Sequence, residues 1–247
     1  MAKLPAIDKD PTLEAMDRCI EERARQEPRR NYLGMSAIGH PCERKLYYDY
    51  RSTVRKAHDA ATLKRFEDGH RGEALMADRL RLVHGITLLT VDPETGKQFG
   101  FQDHDGEFRG HMDGAIHGLL QASAAWHCWE HKCVKEEKQA KLVKLKAEKG
   151  EKNALAEWDE IYYAQAMLYL HYSGMDRHYL TVSTPGERST VSCRTDANPE
   201  VALKLIEKAK RIIDAPFPLA RISNDPSWWQ CRWCDHIDTC HKTGNVT

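Results

Sequence analysis

From about residue 86 to residue 134 the chain runs in short alternating segments broken by glycine and aspartate: "ITLLTV", "KQFGFQ", "FRGHMDGAIHG" and a further run over 125–134. Alternation with a period of two and closely spaced turn residues predict antiparallel strands. Helical patterns stand on both sides of them. Residues 12–30 read as a charged amphipathic helix ending near Pro28. A second helix is expected to start at Ser36 as N-cap and to run through "CERKLYYDYR", and residues 62–84 carry the strongest helical pattern of the N-terminal half. After the strands come a lysine-rich helical segment, a helix over 158–173, strands in "RHYLTVST" and "STVSCRT", and a helix over 198–214. A strand group flanked by helices predicts an α/β or α+β fold, and 247 residues suffice for one domain of generous size.

Within the strand group, "WEHKC" places Glu130 and Lys132 on one face and Trp129, His131 and Cys133 on the other. Alone, such a pair reads as a surface ion pair on an edge strand. Upstream, "GHMDG" carries Asp113, and an Asp-Gly pair alone reads as an ordinary turn. In order, however, they offer two carboxylates from adjacent strands and one ammonium. That set suits a hard divalent cation and a water beside a phosphodiester. Glu73 lies at i, i+4 and i+7 spacing with Ala77 and Leu80, and a carboxylate on a core-facing stripe is costly unless paired or metal-bound. Glu73 at the solvent edge of the stripe is the plainer reading, and His70 is the rival ligand on the same turn. Gln165 and Tyr169 are spaced i, i+4 on "YYAQAMLYL", a spacing that alone indicates packing.

Lys+Arg and Asp+Glu both number 37, so net charge attracts no polyanion and only local patches can. Residues 135–152 hold seven Lys and four Glu, and residues 43–65 hold seven Lys or Arg against three acids. Lys135, Lys138, Arg44 and Lys45 are the candidate phosphate contacts from these segments. The N-terminus lacks the apolar run of a signal peptide and no stretch is long enough to span a bilayer, which predicts a cytoplasmic location, bacterial or in a phage-infected host. In a reducing compartment eight cysteines point to metal rather than to disulfides. "CRWCDHIDTC" sets Cys231, Cys234 and Cys240 in a C-x2-C-x5-C array. Zinc would take His236 or His241 as fourth ligand, whereas a [4Fe–4S] cluster would take Cys42 of "GHPCERKLYY". Cys19, Cys128, Cys133 and Cys193 read as packing residues, and Trp228, Trp229 and Trp233 as a cover for the metal site rather than a stacking surface for bases.

Taken together these residues resemble the RecB-like branch of the PD-(D/E)XK nucleases, in particular its iron–sulfur members, which include AddB-type nuclease domains and CRISPR-associated exonucleases. The elements occur in the family's order: Cys42, "GHRGE", "GHMDG", "WEHKC", "QAMLY" as Q-x3-Y, and the C-terminal cysteines. The sequence departs from many relatives in holding Glu73, not histidine, four residues after Gly69. The resemblance implies a restriction-endonuclease-like α/β core, a central mixed sheet flanked by helices, with a cluster joining N-terminal helices to the tail. It divides the chain into 1–35, an N-terminal helical extension; 36–60, the first cluster ligand and its helix; 62–197, the nuclease core; and 198–247, a helix and cluster-binding tail. It implies a DNA exonuclease in replication, recombination or repair, of a stand-alone kind that phages or mobile elements encode. Asp113, Glu130, Glu73 and the Cys133 carbonyl would bind Mg²⁺ or Mn²⁺, Lys132 would position or activate water, and Gln165 and Tyr169 would support the site. Cys42, Cys231, Cys234 and Cys240 would hold the cluster. The implied partners are single-stranded or end-containing DNA and a recombination or replication protein. The alternatives are a non-catalytic DNA-binding or assembly module on the same scaffold, and a zinc-stabilised binding protein.

Overall fold

The computed structural model describes residues 10–28, 30–51 and 57–242; residues 52–56 of the basic segment and both ends of the chain lie outside the described residues. Its elements are α1 (Pro11–Gln26), β1 (Leu33–Gly34), a 3-10 turn at Met35–Ala37, α2 (Glu43–Tyr50), α3 (Ala60–Arg81), β2 (Thr87–Leu89), β3 (Gly100–Asp103), β4 (Phe108–His111), β5 (Gly114–His117) and β6 (His127–Cys133). There follow α4 (Glu136–Lys149), α5 (Glu151–Trp158), α6 (Glu160–Ser173), β7 (Arg177–Ser183), β8 (Thr190–Asp196), α7 (Pro199–Asp214), α8 (Trp229–Arg232) and α9 (Ile237–His241). No helix is long and apolar enough to cross a membrane among the described residues.

The strands form two mixed sheets, ordered β1-β4-β3 and β2-β5-β6-β7-β8. In the larger sheet β6 pairs antiparallel with β5 and parallel with β7. A parallel neighbour needs a long crossover, and α4, α5 and α6 supply it. Alternation along β6 and β7 sorts side chains between two cores: Cys128, Leu180 and Val182 join the main core, while Trp129 and Tyr179 pack with Met76 and Ala77 of α3. All seven residues from Ala164 to Leu170 of α6 are buried, as expected of a helix enclosed on every side. Asp159 caps α6, accepting from the Ile161 and Tyr162 amides at 3.0 and 2.9 Å.

The differences from expectation have local causes. The helix expected from Ser36 is a 3-10 turn followed by α2, whose N-cap is Cys42; Pro41 disfavours helical geometry in the residue before it. The lysine-rich segment and its sequel divide into three helices at Gly150 and Asp159. "FRGHMDGAIHG" becomes two strands in different sheets, β4 and β5, with the chain changing sheets at Met112–Asp113. Glycines bracket that change because neither position has room for a side chain. A Cβ at Gly110 would lie 2.7 Å from Tyr169, and one at Gly114 would lie 2.6 Å from the Leu89 carbonyl oxygen. Cys128 and Cys193 are buried as expected, whereas Cys133 is half-buried and Cys19 is exposed on α1, a helix that buries none of its residues.

Candidate active site

The crossing between sheets brings Asp113 against the middle of β6. The Asp113 carboxylate accepts from the His131 amide at 2.8 Å, and the imidazole of His131 is held behind the strand by Thr181 at 2.9 Å and Ser183 at 3.0 Å. Glu130 points the other way, toward α6. One of its oxygens, Oε1, accepts from Lys132 Nζ at 2.7 Å and from Gln165 Nε2 at 3.0 Å, and Gln165 also donates to the Tyr169 hydroxyl at 3.2 Å. The Glu130 side chain is only 4% exposed and β6 is an inner strand, so this pair is not the surface pair of an edge strand. Its other oxygen, Oε2, is buried with no hydrogen-bond partner. Such an orphan acceptor is costly in a protein interior.

Burial pushes the Glu130 carboxyl well above the usual range, and the Asp113 charge adds to the push; Lys132 works against it. Burial and Asp113 likewise raise Glu73, to about 7. Burial disfavours the Lys132 ammonium, but Glu130 and Asp113 outweigh it and raise its pKa. In the metal-free site Lys132 is therefore held as the ammonium by the two carboxyls. Two glutamates each repelled by Asp113, one with a bare buried oxygen, make with it a donor set of hard oxygens that fits a divalent cation.

These groups line one cleft of about 1000 Å³, together with His70, the Cys133 position and Tyr162. His70 and Glu73 both reach the cleft, and the Asp113 charge acts on the Glu73 carboxyl. Among the described residues no three His, Cys, Asp or Glu side chains close to metal-binding distance, so any cation would have to draw its ligands inward.

The expected phosphate contacts are elsewhere. Arg44 donates to the Leu219 and Pro218 carbonyls, and Lys45 pairs with Asp49; both line the cavity of the thiols, not the cleft. Lys138 pairs with Asp159 at 2.6 Å, and Lys135 lies exposed before α4. Counting charge in a segment does not reveal which cations are already paired. The cleft instead presents Arg30, Arg65 and Arg109, with Tyr32 and His111. Arg109 had a sequence signal, four residues before Asp113 on the same extended run. Arg30 and Tyr32, in the connection from α1 to β1, had none.

At the other end of the chain, Cys42, Cys231, Cys234 and Cys240 line one cavity with His236 and His241. All four thiols are free, and burial, then the neighbouring thiols, raise Cys231. His236 bonds Asp49 through Nε2 at 2.7 Å, while its Nδ1 and the Nε2 of His241 are buried without partners. The soft donor set fits a thiolate-bound metal. The tail is also tied to α2 without metal, by His236–Asp49 and Arg44–Leu219, and Arg211 of α7 pairs with Glu43 at 2.8 Å. Trp228, Trp229 and Trp233 do not cover the thiols: they are 45%, 64% and 78% exposed and do not line the cavity. Tyr48, Ile222 and Ile237 wall it instead.

No family model and no curated protein sequence matches the chain. Among solved structures it is similar to the protein SSO0001, at 12% identity over 95% of this chain and 97% of that one, with a TM-score of 0.50. It is also similar to an alkaline exonuclease from Laribacter hongkongensis, at 11% identity over 75% of this chain and 87% of that one, with a TM-score of 0.51. What the chain shares with these proteins is its fold, a mixed α/β arrangement.

Proposed function

We propose that this chain is a divalent-metal-dependent DNA exonuclease of the RecB-like, iron–sulfur kind, hydrolysing phosphodiester bonds at DNA ends in replication, recombination or repair. The observation that carries the proposal is the buried, unpartnered Glu130 oxygen in a cleft shared with Asp113, Glu73 and Lys132. Likeness in fold to an alkaline exonuclease supports action on DNA ends.

Asp113, Glu130 and Glu73, with the Cys133 carbonyl, would hold Mg²⁺ or Mn²⁺, and such a cation polarises the phosphoryl group and makes water more acidic. The chain's own residues do the rest. His131 fixes Asp113 through its amide, and Gln165 fixes the Glu130 oxygen that Lys132 also holds. Lys132 sets a permanent positive charge where negative charge develops on the phosphoryl oxygens. Tyr162 lies under the ammonium, 5.4 Å from its ring centre, and limits its movement.

The test is incubation of end-labelled linear DNA and closed circles with Mg²⁺ or Mn²⁺. Linear strands are expected to shorten from their ends while circles survive. Absence of cleavage overturns the proposal, and cutting of circles overturns its exonuclease part.

Protons and the cation compete for the same oxygens, which gives a second check. Glu73 and Glu130 have folded-state values above their ordinary ones. In the metal-free protein the stability they contribute is present below the ordinary carboxylate range and is lost as pH rises through the folded values, about 7 for Glu73. The cation's effect runs the opposite way. The Mg²⁺-induced rise in Tm is expected to grow from about pH 6 to about pH 8, read from thermal melts with and without the ion. A rise independent of pH would place the ion away from these carboxyls.

For the thiol cavity, a [4Fe–4S] cluster on Cys42, Cys231, Cys234 and Cys240 is the first reading. The bare Nδ1 of His236, in a ring already oriented by Asp49, favours zinc on three cysteines and His236 as the second.

A further inference from the structure

Several arginines on this surface pair with carboxylates: Arg71 with Glu67, Arg81 with Asp78, Arg194 with Glu151 and Arg211 with Glu43. Two that share one aromatic ring beside the acidic centre do not. Among the described residues neither Arg30 nor Arg109 has an ion-pair partner, and both line the cleft. Their guanidinium groups lie 5.8 and 5.3 Å from the ring centre of Tyr32. Arg109 is also locked from behind, because its Nε donates to the Gly106 carbonyl. Gly106 has φ +82°, and a Cβ there would come within 3.0 Å of the guanidinium. β1 and β4 fix the spacing of the group, with Gly34 in register with Arg109. Tyr32 and Arg109 further line an adjoining groove of about 560 Å³ with Lys97, so they stand on the ridge between this groove and the cleft.

We infer that Arg30, Tyr32 and Arg109 form a clamp for neighbouring phosphates of the DNA strand held at the acidic centre, with the strand crossing this ridge into the groove. This inference rests on the reading of the cleft as a DNA site. Guanidinium forks match phosphate oxygens, and a guanidinium already stacked on a ring loses little freedom when it binds. Arg109 stands four residues before Asp113, which places the clamp next to the reacting phosphate rather than at a distant face. The ring serves to hold the two cations, so the clamp reads backbone and not sequence.

The experiment measures binding of a labelled oligothymidylate by fluorescence anisotropy in chelator, across a salt series, with thermal melts to verify folding. Arg30→Ala and Arg109→Ala are each expected to weaken binding about tenfold and to flatten the slope of log affinity against log salt by about 0.7. Tyr32→Ala removes no charge, yet is expected to weaken binding comparably with the slope retained; Tyr32→Phe should match the wild type. A strand of the same length without bases should bind as well as the base-bearing one. Unchanged affinity in the arginine variants, a harmless Tyr32→Ala, or loss of binding to the abasic strand would each overturn the clamp. Hydrolysis is scored separately. Cleavage with clamp variants that bind normally removes the clamp and keeps the nuclease, while clamp-dependent binding without any cleavage does the reverse.

Discussion

Lys132→Met is expected to slow hydrolysis by about a thousandfold while leaving affinity for a DNA strand nearly unchanged. The ammonium is bonded to Glu130 at 2.7 Å and is kept charged by Glu130 and Asp113, so it acts as a placed charge. Such a charge is worth most where charge grows during the reaction, and so the loss belongs in kcat and not in KM. A second consequence separates this residue from an ordinary surface lysine. Breaking a buried ion pair costs about 3 kcal/mol when the remaining group stays ionised. Glu130 avoids part of that cost by taking up a proton, since burial has already raised its pKa and loss of Lys132 raises it further. The gap in Tm between wild type and variant should therefore be small in mild acid and widen as pH rises, and Mg²⁺ should narrow it. A variant that cleaves at the wild-type rate would remove Lys132 from the chemistry, and a Tm gap independent of pH would remove the coupling to Glu130.

What could be read in the sequence follows from the range over which each signal acts. Period-two alternation in "WEHKC" sorted Glu130 and Lys132 from Trp129 and His131, and the structure has that sorting because both faces of β6 are packed. The i, i+4 spacing of Gln165 and Tyr169 was visible too, and the structure joins the two side chains by a hydrogen bond and joins Gln165 to Glu130. Three features were not legible, for separate reasons. The change of sheet at Asp113 depends on Tyr169 and Leu89, which crowd Gly110 and Gly114 from distant parts of the chain. The ridge of Arg30, Tyr32 and Arg109 joins a connection to a strand that pairs in parallel with it across some 75 residues, a separation at which local pattern carries nothing. Lys138 and Arg44 were chosen by charge density, but Asp159 and the Leu219 carbonyl had already engaged them. The three tryptophans misled for a related reason: they lie next to Cys231 and Cys234 in sequence, while the cavity is walled by Tyr48 and Ile222 from farther away.

Cys234→Ser is expected to lose the metal of the thiol cavity and about 10 °C of Tm. Joining positions 42 and 231 closes a loop worth about 5 kcal/mol of chain entropy in the simplest treatment. Protein contacts already do part of this work, since His236–Asp49 and Arg44–Leu219 join the tail to α2. About 3 kcal/mol is thus left for the metal, and for a chain of this size that corresponds to the stated fall. Which metal it is can be decided by two further variants. Cys42→Ser should bleach and destabilise a four-cysteine cluster but leave three-cysteine zinc in place. His236→Gln should do the opposite, because its bare Nδ1 would be the fourth zinc ligand while the Nε2 contact to Asp49 only orients it. Metal content, visible absorption from thiolate–iron charge transfer and Tm, measured together on anaerobically purified protein, separate these outcomes. Wild-type protein free of both iron and zinc, with a Tm unmoved by Cys234→Ser, would leave the four thiols as packing residues of a tail that needs no metal to stay in place.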